Sequence, residues 1–324
     1  MVLPDECRMT GTGVTASIVD MDPELEAFLA LFPKADFANP AEERKNFAAL
    51  AAAIPVPNVD GLHVEDMTVP ATPDVPVRVY RPQGARAAIV WLHGGGFVMG
   101  DRDTEHPWAM RIAEGAGVTV VSVGYRLAPE NPFPAALDDA YAVLKWTAAH
   151  ADELGVDPDR IAIGGHSAGA GISAALALRV RDEGGPAPCF QLLNQPELDD
   201  RQDTPSARAF TDTPWMNRAK VTASWRHYLG GAPATPYAAP ARASDLSGLP
   251  PAYVATAEFC PNRDEGLAYA MRLLAAGVPV ELHQWAGTFH GSQAILSAEV
   301  SQRQLTELAD VLRRAVSAYR EVPA

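Results

Sequence analysis

The chain has 324 residues, 48% apolar and 20% charged, proportions that describe an ordinary globular protein and exclude intrinsic disorder. Its 40 acidic and 26 basic side chains give a formal charge of −14, which repels a polyanion and excludes nucleic acid as a natural partner. No run of about 18 apolar residues exists to span a bilayer, and Cys7, Cys189 and Cys260 are too few and too scattered for a disulfide framework or a paired metal site.

In chain order, residues 1–8 lack the continuous apolar run of a signal peptide, so the expected location is cytoplasmic. Asp22-Pro23 reads as a helix N-cap followed by proline, with Leu25, Phe28, Leu29 and Phe32 at helical spacing. Asn39-Pro40 opens a second helix that carries Phe47, Leu50 and Ala51 on one face. Apolar runs follow at residues 77–80, 87–93, 118–125, 160–164, 189–193, 252–256 and 278–283, with helical segments such as 135–150 and 168–182 between them. Continuous apolar strands alternating with helices indicate an α/β protein whose mostly parallel sheet is covered on both faces. Residues 200–240, rich in Pro, Thr and Asp, interrupt the rhythm with one amphipathic piece at 218–229. The expected organisation is a helical N-terminal segment (1–55), a core (56–199 and 241–324) and a lid-like insertion (200–240).

Gly165-His166-Ser167-Ala168-Gly169 follows an apolar strand and precedes an alanine-rich helix. In that context G-x-S-x-G is a nucleophile elbow, a sharp turn that exposes the serine oxygen. His93-Gly94-Gly95-Gly96-Phe97 ends another strand, and the backbone N–H groups of such a loop, with that of Ala168, converge on a developing oxyanion. Of the eight histidines, His290 in Gly287-Thr288-Phe289-His290-Gly291 is placed to act as general base on Ser167. His93 reads as a buttress of its loop, and His166 stays open.

Those motifs, with Tyr125-Arg126-Leu127-Ala128-Pro129-Glu130 and Arg263-Asp264-Glu265-Gly266, resemble the hormone-sensitive-lipase-like branch of the α/β-hydrolases from about residue 22 to about residue 312. Pro196–Arg201, Ser224–Gly230 and Gly287–Ser292 are similar to acetyl-ester hydrolases of that branch. The resemblance implies a mostly parallel eight-stranded sheet flanked by helices, with a helical cap built from the N-terminal helices and the insertion. It implies oxyanion donors at Gly95, Gly96 and Ala168 and a small ester of a short acyl chain as substrate. The sequence has no P-loop, HExxH or metal-spaced His/Cys cluster, so no cofactor or metal is expected. A homodimer is in keeping with it.

One position departs from that pattern. The branch carries its catalytic Asp where this chain has Cys260, in Cys260-Pro261-Asn262-Arg263-Asp264-Glu265-Gly266. The acid fixes the tautomer of the histidine and stabilises the imidazolium, and neutralising it in a serine protease lowers kcat roughly 10⁴-fold. Three routes remain open from sequence: a carboxylate of Glu258, Asp264 or Glu265 substitutes, Cys260 ionises beside a protonated His290, or a Ser–His dyad works slowly. Glu258 points to the same side of a strand as residue 260, about 6–7 Å away. His166 and Gln195 stand where the branch carries Asp and Tyr.

Phe97, Trp108, Phe210 and Trp215 are expected to line the pocket, with core packing the competing reading. Two other functions fit parts of the chain. A ligand-binding protein on the same fold needs the pocket and not the acid. A dinucleotide enzyme is suggested by Gly169-Ala170-Gly171-Ile172-Ser173-Ala174, but that match overlaps the elbow and lacks the acidic residue expected about 20 positions on.

Overall fold

The computed structural model describes residues 21–29 and 37–317. Cys7 and Phe32 lie outside them. Helix α1 (Pro23–Glu26) is one turn, capped by Asp22, whose Oδ1 accepts from the Glu24 amide at 2.9 Å. Helix α2 is Pro40–Ala52. The core follows as β1 (Leu62–Val69), β2 (Val75–Pro82), β3 (Ala88–Leu92), α3 (His106–Ala116), β4 (Thr119–Val123), α4 (Ala135–Ala149), α5 (Ala151–Leu154), β5 (Ile161–His166), α6 (Ala168–Glu183) and β6 (Gln191–Asn194). Helices α7 (Pro205–Ala209) and α8 (Arg218–Leu229) occupy the 200–240 segment, and β7 (Ala252–Phe259), α9 (Arg263–Ala275), β8 (Val280–Phe289) and α10 (Glu299–Ser317) complete the chain.

The strands form one sheet in the order β1-β2-β4-β3-β5-β6-β7-β8. Strand β2 runs antiparallel to β1 and β4, and every other neighbouring pair is parallel. Strands β3, β4 and β6 are buried at every position, as a parallel sheet sandwiched between helices requires. Val143 of α4, Ile172 of α6 and Leu273 of α9 pack into the core on one face. Ile112 of α3, Leu308 and Leu312 of α10, and Leu25 of α1 fill the other.

The sequence reading omits β1, whose Leu-His-Val-Glu-Asp-Met-Thr-Val side chains are mostly exposed. An edge strand held by its backbone ladder with β2 carries no burial pattern to read. The apolar runs read as strands at 77–80, 87–93, 118–125, 160–164, 189–193, 252–256 and 278–283 all overlap strands of the sheet, and α8 coincides with the amphipathic piece. Because β3, β5, β6, β7 and β8 are parallel, the loops after them gather at one end of the sheet, where a doubly wound α/β protein binds its ligands.

Candidate active site

Ser167 sits at the turn between β5 and α6 with φ +56° and ψ −121°, a conformation that costs a non-glycine residue of order 1–3 kcal/mol. The flanking residues must be glycine, because a Cβ on Gly165 or Gly169 would overlap the Leu92 carbonyl oxygen of the adjacent strand. The turn presents the Ser167 Oγ to His290, which follows β8. His290 Nε2 lies 2.8 Å from that oxygen. Both residues are buried, with relative exposures of 2% and 1%.

The loop after β3 lies beside them. Gly95 adopts φ +122°, and a side chain there would run into the Met99 backbone. The amides of Val98 and Met99 both donate to the Gly95 carbonyl at 3.1 Å, closing the loop. Among the described residues the amides of Gly95 and Gly96 have no acceptor, and that of Ala168 opens α6, where a helix leaves its N–H groups unused. The His93 ring stacks on Tyr125 at 4.0 Å, and the Tyr125 hydroxyl donates to the His93 carbonyl at 2.8 Å. His93 therefore packs under the loop.

Cys260 follows β7, and its Sγ lies 3.2 Å from His290 Nδ1. Burial raises the thiol pKa, while burial first and His166 second push that of His290 well below the usual histidine range. Both shifts favour the neutral pair, so the thiolate–imidazolium route is corrected to a neutral thiol beside a neutral imidazole.

The substitute carboxylates are corrected too, because each is engaged elsewhere. Glu258 Oε2 accepts from the Gly287 amide at 2.7 Å. Asp264 accepts from the Ser206 amide at 2.7 Å and from Arg263 Nε at 2.8 Å. Glu265 accepts from the Leu198 amide at 2.7 Å, and burial holds its carboxyl far above the usual range. Among the described residues no carboxylate hydrogen-bonds to His290.

A cavity of about 110 Å³ opens over Ser167 and His290. Trp108 and Trp215 line it, and so do Trp91, Phe47, Ile54 and Leu308. Phe97 and Phe210 do not. Phe97 stacks on Tyr228 in the core at 3.9 Å, and Phe210 meets Phe259 edge-on at 6.2 Å beneath the Arg263 guanidinium. A position next to a motif does not tell which way an aromatic ring faces.

The sequence reading missed Glu105, which lines the cavity with its carboxyl pushed up to about 8 by burial and accepts from Trp91 Nε1 at 2.6 Å. It also missed Gln293, three residues after His290, whose amide joins Gln195 to His166. Nothing local marks either residue. Among the described residues no group of three or more His, Cys, Asp or Glu could hold a metal, and no helix is long and apolar enough to cross a membrane.

The family model for the alpha/beta hydrolase fold matches residues 89–294. The chain is 41% identical over 291 residues to the carboxylesterase NlhH of Mycobacterium tuberculosis, which covers 86% of this chain and 91% of that relative. It is 44% identical over 241 residues to the esterase LipI of the same organism, covering 71% and 75% respectively. Among solved structures, bacterial heroin esterase superposes with a TM-score of 0.90 at 43% identity, covering 92% of this chain and 99% of that one. The elbow, the glycine loop and these matches agree, and the chain belongs to the α/β-hydrolase fold family, in its hormone-sensitive-lipase-like branch.

Proposed function

We propose that this protein is a carboxylesterase-type serine hydrolase that cleaves short-acyl esters through an acyl-enzyme. The observation that carries the reading is the 2.8 Å approach of His290 Nε2 to the strained Ser167 Oγ. Ser167 Oγ attacks the ester carbonyl carbon as its proton passes to His290 Nε2, and the N–H groups of Gly95, Gly96 and Ala168 hold the oxyanion. Collapse breaks the C–O bond, and His290 returns the proton to the departing alkoxide. Water then attacks the acyl carbon with His290 again as base, releasing the acid and restoring Ser167.

The relatives' names carry the ester class. The cavity supports short chains: its 110 Å³ compares with about 150 Å³ for an engineered cavity that holds one benzene. The N-terminal segment and the 200–240 insertion act as the cap, contributing Phe47, Ile54 and Trp215 to the walls. Cys260 slows the chemistry, since a thiol donates or accepts only weakly and does not hold Nδ1–H as a carboxylate does. That same residue favours the second reading, a ligand-binding protein that has kept the pocket.

Hydrolysis of p-nitrophenyl butyrate, together with covalent labelling by a fluorophosphonate, tests the reading. Turnover and labelling by the parent, both lost in Ser167→Ala, support the esterase. A parent that neither turns over nor labels, yet binds small esters, supports the second reading.

A further inference from the structure

His166 and Gln195 stand where the branch carries Asp and Tyr, and Gln293 lies beside them. They form one chain of hydrogen bonds. The Gly291 amide donates to Gln195 Oε1 at 2.9 Å, Gln195 Nε2 donates to Gln293 Oε1 at 3.0 Å, and Gln293 Nε2 lies 3.1 Å from His166 Nδ1. The same Gln293 nitrogen is 3.4 Å from His166 Nε2, so it faces the ring between the two nitrogens and lies on the lone pair of neither. Asn194 Nδ2 approaches Nδ1 as well, at 3.2 Å. Gln195 and Gln293 are 3% and 7% exposed, where an unsatisfied amide is costly.

The polarity of this chain follows from its first member. A backbone N–H can only donate, so Gln195 turns its oxygen to Gly291 and its NH₂ to Gln293. Gln293 must then accept with its oxygen and turn its own NH₂ to His166. Asn194 Nδ2 is the donor set on Nδ1 alone, so Nδ1 accepts and the ring proton belongs on Nε2. An imidazolium would bring an Nδ1–H against the Asn194 NH₂ and a positive ring against the Gln293 NH₂, so the two amides disfavour it. Burial acts in the same direction and holds His166 at about 4.

Two consequences reach the reacting atoms. Gly291 is bonded to His290, so Gln195 anchors the loop that carries the base. The anchor is the end of β6, where the Asn194 carbonyl accepts the amide of Ser167 itself at 2.9 Å. The ring of His166 is also 5.4 Å from that of His290. A positive charge there would weaken His290 as a proton acceptor.

We propose that Gln195 and Gln293 are positioning residues, an amide relay that fixes His290 relative to Ser167 and keeps His166 as a neutral Nε2–H tautomer beside it. The positioning role rests on the esterase reading, and the tautomer does not. Gln195 holds φ +50° in doing so, a conformation a glutamine adopts only when its surroundings hold it there.

The test has two arms. The first is ¹⁵N NMR of the histidine-labelled full chain, with His166→Asn to assign the signals. The relay predicts an unprotonated Nδ1 and a protonated Nε2 for His166, unchanged from pH 5.5 to pH 8, the lower bound being more than a unit above its value of about 4. A proton on Nδ1, or titration within that range, overturns it.

The second arm is kinetic. Gln195→Leu lowers kcat about 10- to 100-fold, as misplacement by an ångström does, with KM within about twofold of the parent. Gln195→Glu recovers much of that kcat, because burial keeps the new carboxyl protonated and able both to accept from Gly291 and to donate to Gln293. Gln293→Glu places a carboxyl against the His166 ring, where a protonated ring holds it ionised as an ion pair; His166 becomes titratable and adds a limb to the pH profile along which activity rises with pH. A merely structural role predicts a lower melting temperature in each variant, no recovery in Gln195→Glu and no new limb, and that pattern overturns the proposal. A parent with the expected tautomer but no turnover sustains the tautomer, removes the positioning role and overturns the esterase reading.

Discussion

His290 lies between two side chains of unequal strength: Ser167 Oγ, 2.8 Å from Nε2, and Cys260 Sγ, 3.2 Å from Nδ1. A carboxylate at the second place would accept from Nδ1–H and leave Nε2 free to take the serine proton. A thiol can act in either direction, so the unproductive tautomer is also populated. Cys260→Asp is expected to raise kcat on p-nitrophenyl butyrate by roughly 10²-fold or more, with Cys260→Asn giving no such gain. The pH profile moves with it. Because burial depresses His290, the neutral, base-competent form persists below the usual histidine range and the parent loses activity only at distinctly acid pH. The new carboxylate favours the imidazolium and shifts that acid limb upward. A pH–rate profile identical in parent and Cys260→Asp would show that the thiol is not what limits the reaction.

Thiol reagents test the neutral state of the sulfur directly. Cys260 is 1% exposed, and Cys189 is buried with its thiol pushed up to about 12. Reagents attack thiolates. In a Cys7→Ser background the folded protein should take up no iodoacetamide at neutral pH, and the denatured protein two equivalents. Fast modification of Cys260 in the folded state would count against a buried, protonated thiol.

The buried carboxyls give the stability an unusual dependence on pH. Burial raises Glu105 and Glu197 from an ordinary value of 4.5 to about 8. Between those values the folded chain keeps protons that the unfolded chain releases, so their contribution is complete below about pH 4.5 and declines as pH rises toward about pH 8. His93 and His166, both lowered from 6.5 to about 4 by burial, act oppositely and cost stability as pH falls through that window. The melting temperature should therefore decline from about pH 6.5 to pH 8.5, and Glu197→Gln should flatten the decline by at most about 1.4 kcal/mol per pH unit. Melts that rise with alkalinity would contradict this placement of the acids.

The cavity wall makes a prediction about chain length. Trp215 lines the cavity and stacks on Phe47 at a centroid distance of 5.8 Å. Trp215→Ala opens that wall and should move the preferred p-nitrophenyl ester to a longer chain, with kcat/KM for the shortest esters reduced. A preference that stays where it was would mean that other residues set the length limit.

The strands that carry the site were legible because β3 to β7 are buried on both faces and so appear as unbroken apolar runs. The elbow and the glycine loop were legible because their chemistry needs particular residue types at fixed spacing. Glu258 and Asp264 illustrate what was not: each is the right type close to the right place, and each is engaged by a backbone amide that no spacing rule reveals. The relay was hidden for a different reason. Gln195 and Gln293 are 98 positions apart, and only the stacking of β6, β7 and β8 brings their amides together.

Part of the cavity wall comes from outside the sheet: Phe47 and Ile54 precede it, Leu308 follows it on α10 and Trp215 belongs to the insertion, while Trp91 lies on β3 and Trp108 on α3. Ser167, His290 and the glycine loop belong to the sheet ends. Part of the lining therefore occupies stretches of gene separate from the residues at the sheet ends. Substitution in those stretches can reshape part of the cavity without disturbing the strand register that places Ser167 and His290.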